Sequence, residues 1–382
     1  MSDDAPVRRF VRLTAGDPAP WFTQHTIGQR EFTFDLAAGR YVVLCFFGST
    51  ASPAGRRALE AVQVRRSLFD ERRACFFGVT LDRNDERESL VTERLPGLRF
   101  FRDYRGDISK SYGALPADAA TDETAAPFRQ FWLVLDPMLR VVANIPFQAD
   151  GGDVTEVFTL LDSLSPVDRF ADFEINAPIL VLPRVFEPEL CAHLIAIFER
   201  YGGSPSGVMR EKDGKTVGVH DVTFKSRRDF VIDDADLMRR LHARIERRIV
   251  PEILKAFQFR ATRMERYIVS CYAAEDRAHF QPHRDNVTRG TAHRRFAITL
   301  NLNSDYDGGR LAFPEYGPRT WKAPAGCAIV FATPLMHAVT PVTRGKRYAF
   351  LPFLYDEEAA RLREANNAHL GPDLAAYRAD DS

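Results

Sequence analysis

Two residues apart stand His283 and Asp285, and a second histidine, His337, follows only after a long stretch of intervening chain. Side chains at i and i+2 of an extended segment project from one face, so His283 and Asp285 share a face and Arg284 between them points away. For His337 to join them, the fold must bring a distant strand back alongside the first. Two imidazoles and one carboxylate can then cap one triangular face of an octahedral ion and leave the opposite face open. Arg347 follows His337 after a turn at Pro341. It can sit on the next strand, face the same cavity, and offer a planar fork to a carboxylate.

The rest of the chain divides by pattern. In the N-terminal third, residues 41–47 (YVVLCFF) are continuously apolar, as expected of a strand buried on both faces. A helical pattern follows over 56–72, a second strand over 75–80, and a further helical stretch near 85–93. Residues 131–137 and 141–145 read as a hairpin around Pro137, and a helix over 155–164 closes the region. Strand–helix–strand followed by hairpin and helix is an α/β layer arrangement. After Leu164-Ser165-Pro166, a polar stretch marks a boundary, and a new apolar strand begins at 178–182. Pro188 opens an amphipathic helix through Leu190, Leu194, Ile197 and Phe198, ending near Gly202-Gly203. Residues 203–218 are rich in Gly, Ser and Lys and predict a mobile loop. Asp233-Asp234 caps a long helix with Leu237, Leu241, Ile245 and Ile249 on one face. From Met264 to Tyr355 strands alternate with short turns, and a charged, helical tail with a disordered end follows Glu357. The expected division is 1–165, 178–356 and a tail of 357–382.

Composition narrows the class. Lys and Arg total 52, matching 52 Asp and Glu, and neither sign forms a long run. Generic binding to nucleic acid or to a membrane surface is not indicated. The start, Met1 to Asp4, is acidic and has no apolar leader, and no apolar stretch is long enough for a bilayer, so a soluble cytoplasmic protein is expected. The five cysteines, Cys45, Cys75, Cys191, Cys271 and Cys327, are widely spread, lie mostly in apolar runs and form no C-x-x-C pair. Buried reduced thiols fit this pattern better than a disulfide framework or a zinc site.

Two resemblances add to this reading. The N-terminal order resembles the thioredoxin-like fold of the peroxiredoxins: Gly16-Asp17-Pro18-Ala19-Pro20 looks like that family's opening, Phe46-Phe47-Gly48-Ser49 like the strand leading to its active site, and Arg129 to Asp136 like a later segment. The chain departs from the family where the peroxidatic cysteine belongs, since residues 49–55 read STASPAG. Without a thiolate there is no peroxide or disulfide chemistry. The domain is therefore expected to be redox-inactive and to serve packing, dimerisation or docking of a protein or carrier-bound substrate.

Residues 179–355 resemble the prolyl 4-hydroxylase-like branch of the Fe(II)/2-oxoglutarate dioxygenases. The matching text includes Tyr272, Phe280 to Asp285, Ala297 to Asn303, Tyr306 to Pro314, Pro324 to Phe331 and His337 to Tyr348. The family's usual glycine between the tyrosine and the H-x-D is absent, Ala273-Ala274-Glu275-Asp276 standing there. The resemblance implies a mostly-β double-stranded β-helix, or jelly roll, with flanking helices. It implies Fe(II) held by His283, Asp285 and His337, with 2-oxoglutarate and O2 as co-substrates. It implies Arg347 on the distal carboxylate of 2-oxoglutarate, with Tyr272 and Thr299 as further partners. It also implies hydroxylation of an unactivated C–H with release of succinate and CO2, the substrate being a peptidyl proline, an amino acid or a small metabolite. Halogenation is disfavoured, because Asp285 fills the position a halide would need. The alternative is a two-domain binding or sensor protein without turnover; a further rival, a peroxidase or thiol oxidoreductase, is disfavoured by the missing cysteine in the STASPAG turn. Lys346 is expected to face solvent, Arg344 to belong to a turn, and His279 and His293 not to be ligands. For residues 225–229 two readings stand, a substrate entrance or a solvated charged loop, and Trp321 is either core or rim.

Overall fold

A computed structural model describes residues 8–28, 31–120 and 126–379; the acidic start and the last three residues of the tail lie outside them. The chain separates into two compact units, one reaching to Asn176 and including Pro314–Gly317, the other comprising Ala177–Phe313 and the chain from Pro318 onward.

The first unit is thioredoxin-like. Its five-stranded sheet runs in the order Leu98–Arg102, Ala74–Thr80, Tyr41–Gly48, Phe131–Leu135, Val141–Pro146. The first three strands are parallel and the last two antiparallel. All eight residues of Tyr41–Gly48 are buried, as a strand covered on both faces requires. The following helix, Pro53–Val64, starts with a proline in its first turn, and Ser52 accepts from the Gly55 amide at 3.4 Å. It ends earlier than the helical pattern over 56–72 suggests. A short 3-10 turn, Arg66–Leu68, follows, and Asp70 then accepts from the amides of Arg72 and Arg73 and turns the chain into the next strand. The helical stretch near 85–93 is likewise only Arg83–Arg87. Asp85 is buried there by hydrogen bonds to Thr50 and Thr80, and Ser89 takes a left-handed φ of 54° that ends the element. The strand Leu98–Arg102 and the small hairpin of Thr23–His25 with Glu31–Thr33 escape the sequence pattern, because each is short and interrupted by charge. The core gathers Tyr41, Val43, Phe47, Phe76, Phe100, Trp132 and Phe158, with the Trp132 indole N–H donating to Asp153 at 2.8 Å.

The second unit is mostly β, with two main sheets, an arrangement consistent with a jelly roll. The larger has nine strands, among them Ile268–Ala273, Phe296–Asn301, Lys346–Phe350 and Phe353–Tyr355. The smaller has five, including His279–His283 and His337–Val339. Period-2 alternation divides the work of the larger sheet. Val269, Cys271, Ile298, Leu300, Tyr348 and Phe350 pack into a core with Leu190, Leu194, Phe198, Leu237, Leu241 and Ile245 of the helices Pro188–Tyr201 and Ala235–Arg248. Tyr272, Thr299, Asn301 and Arg347 take the opposite face. Asp234 caps the second helix, accepting from the Leu237 amide at 2.6 Å. The stretch read as a mobile loop instead contains an antiparallel hairpin, Val208–Lys212 with Lys215–Val219. Alternation was hidden by its charged residues, and Gly214 forms the turn with φ of 71°. The tail opens as a helix, Glu357–Ala365, capped by Asp356. Among the described residues no helix is long and apolar enough to cross a membrane.

Candidate metal centre

His283 ends the strand His279–His283, and its register partner across the smaller sheet is His337, the first residue of His337–Val339. Asp285 lies just beyond the strand end, its amide donating to the Thr333 carbonyl at 3.1 Å, while Arg284 turns away to the Pro334 carbonyl. One ligand atom from each of His283, Asp285 and His337 lies within 4.8 Å of the others. His283 Nε2 is 3.6 Å from Asp285 Oδ1, and His337 Nε2 is 3.3 Å from Oδ2. Each imidazole is oriented from behind: Nδ1 of His283 meets the Gln281 carbonyl at 2.8 Å, and Nδ1 of His337 meets the Leu335 carbonyl at 3.0 Å. A carbonyl can only accept, so these bonds put the proton on Nδ1 and present both Nε2 lone pairs to the centre. Burial, with His337 adding to it, holds His283 down at about 4 against the pull of Asp285, so its ring is neutral near pH 7. Burial would raise the Asp285 carboxyl, but the two histidines keep it well below its ordinary value. Phe280 stacks on His283 and Phe331 packs edge-on against His337, walling the donors from water.

Arg347 is 2% exposed and stands directly across from Tyr272 on neighbouring strands. Its Nη2 donates to Thr299 Oγ1 at 2.7 Å and to Asn301 Oδ1 at 3.2 Å, and its Nε reaches the same Asn301 oxygen at 3.3 Å. Its Nη1 is buried with no hydrogen-bond partner. A buried, uncompensated guanidinium N–H is costly, and here it belongs to a pocket of ≈ 470 Å³, open mouth included, that also holds His283, Asp285 and His337. The structure thus gathers all six residues singled out in the sequence around one cavity. Tyr272 is within 5.2 Å of the Arg347 guanidinium, measured to its ring centre, but its hydroxyl accepts from Arg227 rather than Arg347.

Sequence reasoning missed Asn301, which holds Arg347 in place and itself donates to the Ala323 carbonyl at 2.6 Å. Its position two residues after Thr299, on the same face, was the available signal. The solvated reading of 225–229 is overturned, since Lys225 and Arg227 are 6% and 7% exposed; Arg227 and Arg266 both line the pocket. His279 bonds only backbone carbonyls, and His293 sits beside Glu265 at 3.2 Å, away from the centre. Lys346 and Arg344 are exposed, pairing with Glu199 and Asp307. Trp321 is half-buried against Phe313. In the first unit all of the turn's polar positions are otherwise engaged: Ser49 bonds Asp82, Thr50 bonds Asp85 and Ser52 caps the helix. All five cysteines are buried and free. Burial pushes the Cys75 thiol up to about 12 and Cys45 well above its ordinary value.

Comparison with known proteins agrees with this division. Residues 267–355 match the 2OG-Fe(II) oxygenase superfamily, and residues 15–141 match the AhpC/TSA family. A PKHD-type hydroxylase of Paracoccus denitrificans is 52% identical over 53 residues, 14% of this chain and 23% of that protein. A PKHD-type hydroxylase of Verminephrobacter eiseniae is 31% identical over 109 residues, 26% of this chain and 47% of that protein. The chain therefore spans less than half the length of these curated relatives. A solved prolyl hydroxylase from Trichoplax adhaerens, in complex with a hypoxia inducible factor peptide fragment, shares 15% identity at a TM-score of 0.38, covering 48% of this chain and 86% of that one, a likeness too distant to bear on function. The chain carries a thioredoxin-like AhpC/TSA domain at residues 15–141 and a 2OG-Fe(II) oxygenase superfamily domain at residues 267–355.

Proposed function

We propose that this protein is an Fe(II)- and 2-oxoglutarate-dependent hydroxylase acting on an unactivated C–H, with His283, Asp285 and His337 as the iron ligands. The observation that carries the reading is the convergence of two Nε2 atoms and a carboxylate beside a buried Arg347 whose Nη1 lacks a partner. The donor set fits the ion: neutral imidazoles with fixed tautomers and one carboxylate suit Fe(II) and leave coordination positions for a co-substrate. When bound, iron supplies O2 activation coupled to decarboxylation of 2-oxoglutarate, yielding succinate, CO2 and the hydroxylated product.

The chain's own residues supply position. Arg347 pairs with the distal carboxylate of 2-oxoglutarate through its unpartnered N–H, Thr299 and Asn301 hold the guanidinium plane, and the Tyr272 ring lies across the paired strand. Phe280, Phe331, Leu311 and Val339 exclude water from the ligands. The oxygenase domain is taken as residues 178–356 with a tail of 357–382, and residues 1–165 as a redox-inactive thioredoxin-like domain. That domain serves docking of a protein or carrier-bound substrate, or formation of a homodimer. Among the described residues, its cleft of about 1350 Å³, open mouth included, lined by Thr50, Arg56, Leu59, Asp82 and Leu90, brings together no group of three metal-ligating side chains. A cytoplasmic location suits five reduced thiols and a ferrous centre.

The test is an anaerobic titration of the metal-free protein with Fe(II) and then 2-oxoglutarate, followed by admission of O2. The expected result is a weak visible charge-transfer band that O2 discharges with release of succinate. Failure to bind iron, or a band that O2 leaves unchanged, would sink the proposal.

A further inference from the structure

The proposed chemistry uses one of three guanidinium groups lining the pocket, leaving Arg227 and Arg266 without a task. Arg227 donates through Nη2 to Asp229 at 2.7 Å and Ser206 at 3.2 Å, and through Nη1 to the Tyr272 hydroxyl at 3.2 Å. Its Nε is buried with no partner. Arg266 occupies the turn between Arg263–Glu265 and Ile268–Ala273 with a left-handed φ of 67°, a conformation residues with a Cβ adopt at a cost. Its side chain is 28% exposed, its carboxylate partner is Asp229 at 3.5 Å, and it lies 5.3 Å from the Phe353 ring centre. Asp229 is thus shared between two arginines, and it already accepts from Ser206 at 2.5 Å and Ser270 at 2.6 Å.

Charge balance sharpens the point. In the proposed site, the two charges of Fe(II) and that of Arg347 are matched by Asp285 and the two carboxylates of 2-oxoglutarate. Arg227 and Arg266 share Asp229, while the neighbouring Glu265 is taken by Arg294 at 2.7 Å and Arg363 at 2.9 Å, so one positive charge is left over, and the buried Lys225 stands beside them with its ammonium 2.6 Å from the Gly207 carbonyl. The crowding is felt: burial, with Arg227 and Arg294, pulls the Arg266 guanidinium down to about 10, and burial with Arg227 and Arg266 drives the Lys225 ammonium well below its usual value. An uncompensated positive charge in a low-dielectric pocket destabilises the empty site and favours an incoming anion.

We infer that the substrate hydroxylated here carries a carboxylate, received by the partly exposed fork of Arg266 with Arg227 and Asp229 holding that fork in place. The inference rests on the hydroxylase reading and selects within its substrate classes: a free amino acid, an acidic metabolite or a peptide presenting an acid, rather than a neutral peptide segment.

The test uses full-length protein with Fe(II) and saturating 2-oxoglutarate under anaerobic conditions, so that the Arg347 position is filled. Calorimetry compares N-acetyl-L-proline, N-acetyl-L-leucine and N-acetyl-L-alanine, each as the free acid and as its α-carboxamide. The expected result is acids binding at least about tenfold more tightly than their amides. Arg266→Gln should bring that ratio close to one, and Arg266→Lys, which keeps the charge without the fork, should retain part of it. A wild-type ratio near one for all three pairs overturns the inference, as does a preference that survives Arg266→Gln. The wild-type comparison stands even if the variant does not fold. Loss of the Fe(II)–2-oxoglutarate band would instead refute the hydroxylase reading, and the acid-to-amide ratio is read without that band or turnover.

Discussion

The STASPAG turn of the first unit and the H-x-D strand end of the second are both places where a fold delivers side chains to the end of a sheet, and they have met opposite fates. In the turn the polar side chains are satisfied from within: Ser49 bonds Asp82, the Thr50 amide and hydroxyl and the Thr80 hydroxyl all bond Asp85, and Gln130 donates to the Phe47 carbonyl at 2.6 Å. In the second unit the reverse holds. Both histidines expose Nε2, and Arg347 and Arg227 each keep a buried N–H without a partner. A closed hydrogen-bond set such as the turn's reports structure, whereas unpartnered buried N–H groups that line a cavity beside clustered ligand atoms, as those of Arg347 and Arg227 do, mark a candidate site.

The largest effect that would break this contrast comes from the ligands. His283→Ala or Asp285→Ala should abolish Fe(II) binding and succinate formation, measured by metal analysis and product assay, with the fold retained by circular dichroism; retained turnover would remove the assignment. Next, Arg347→Gln should raise the 2-oxoglutarate concentration needed for half-maximal turnover by roughly 10- to 100-fold, the range for losing a charged hydrogen bond at a buried site. An unchanged requirement would place the clamp elsewhere. In the first unit, Asp85→Ala strands two hydroxyls and an amide in the interior and should lower its unfolding free energy by roughly 2–3 kcal/mol, seen as a shifted denaturant midpoint. The same unit should consume hydrogen peroxide no faster than a Cys45→Ser, Cys75→Ser variant; faster turnover would contradict a redox-inactive domain. The smallest effect concerns Glu187, held at about 2 by Arg248 and Arg244, against an ordinary 4.5. A depressed carboxyl stabilises the folded state fully above its ordinary value and loses that contribution as pH falls through 4.5 towards 2. Glu187→Gln should therefore flatten stability over that acid range alone, by a few tenths of a kcal/mol because the pair is solvent-screened.

Legibility of the molecule tracked the range of the interactions responsible. Continuous apolar strands such as Tyr41–Gly48 and the amphipathic helix Pro188–Tyr201 with its Pro start and Gly202 end were readable, since local pattern and burial agree there. Short strands with interposed charge were not: Leu98–Arg102 carries two arginines, and Val208–Lys212 and Lys215–Val219 pair across a turn that looked like loop composition. Helix ends were misjudged where a long-range bond took over, as at Asp85. The identity and order of His283, Asp285, His337 and Arg347 were visible because they follow a strand's period of two and a turn.

The sequence by itself determined which side chains could ligate, which strand faces they share, and that the first unit lacks a thiol at its turn, because these depend on residue identity and local periodicity. Only the tertiary structure decided that Lys225 and Arg227 are buried rather than solvated, that Asn301 orients Arg347, and that Arg266 shares Asp229 and reaches the pocket. Those facts depend on which distant strands become neighbours, and burial of a charge is settled by what packs around it, which no local pattern encodes.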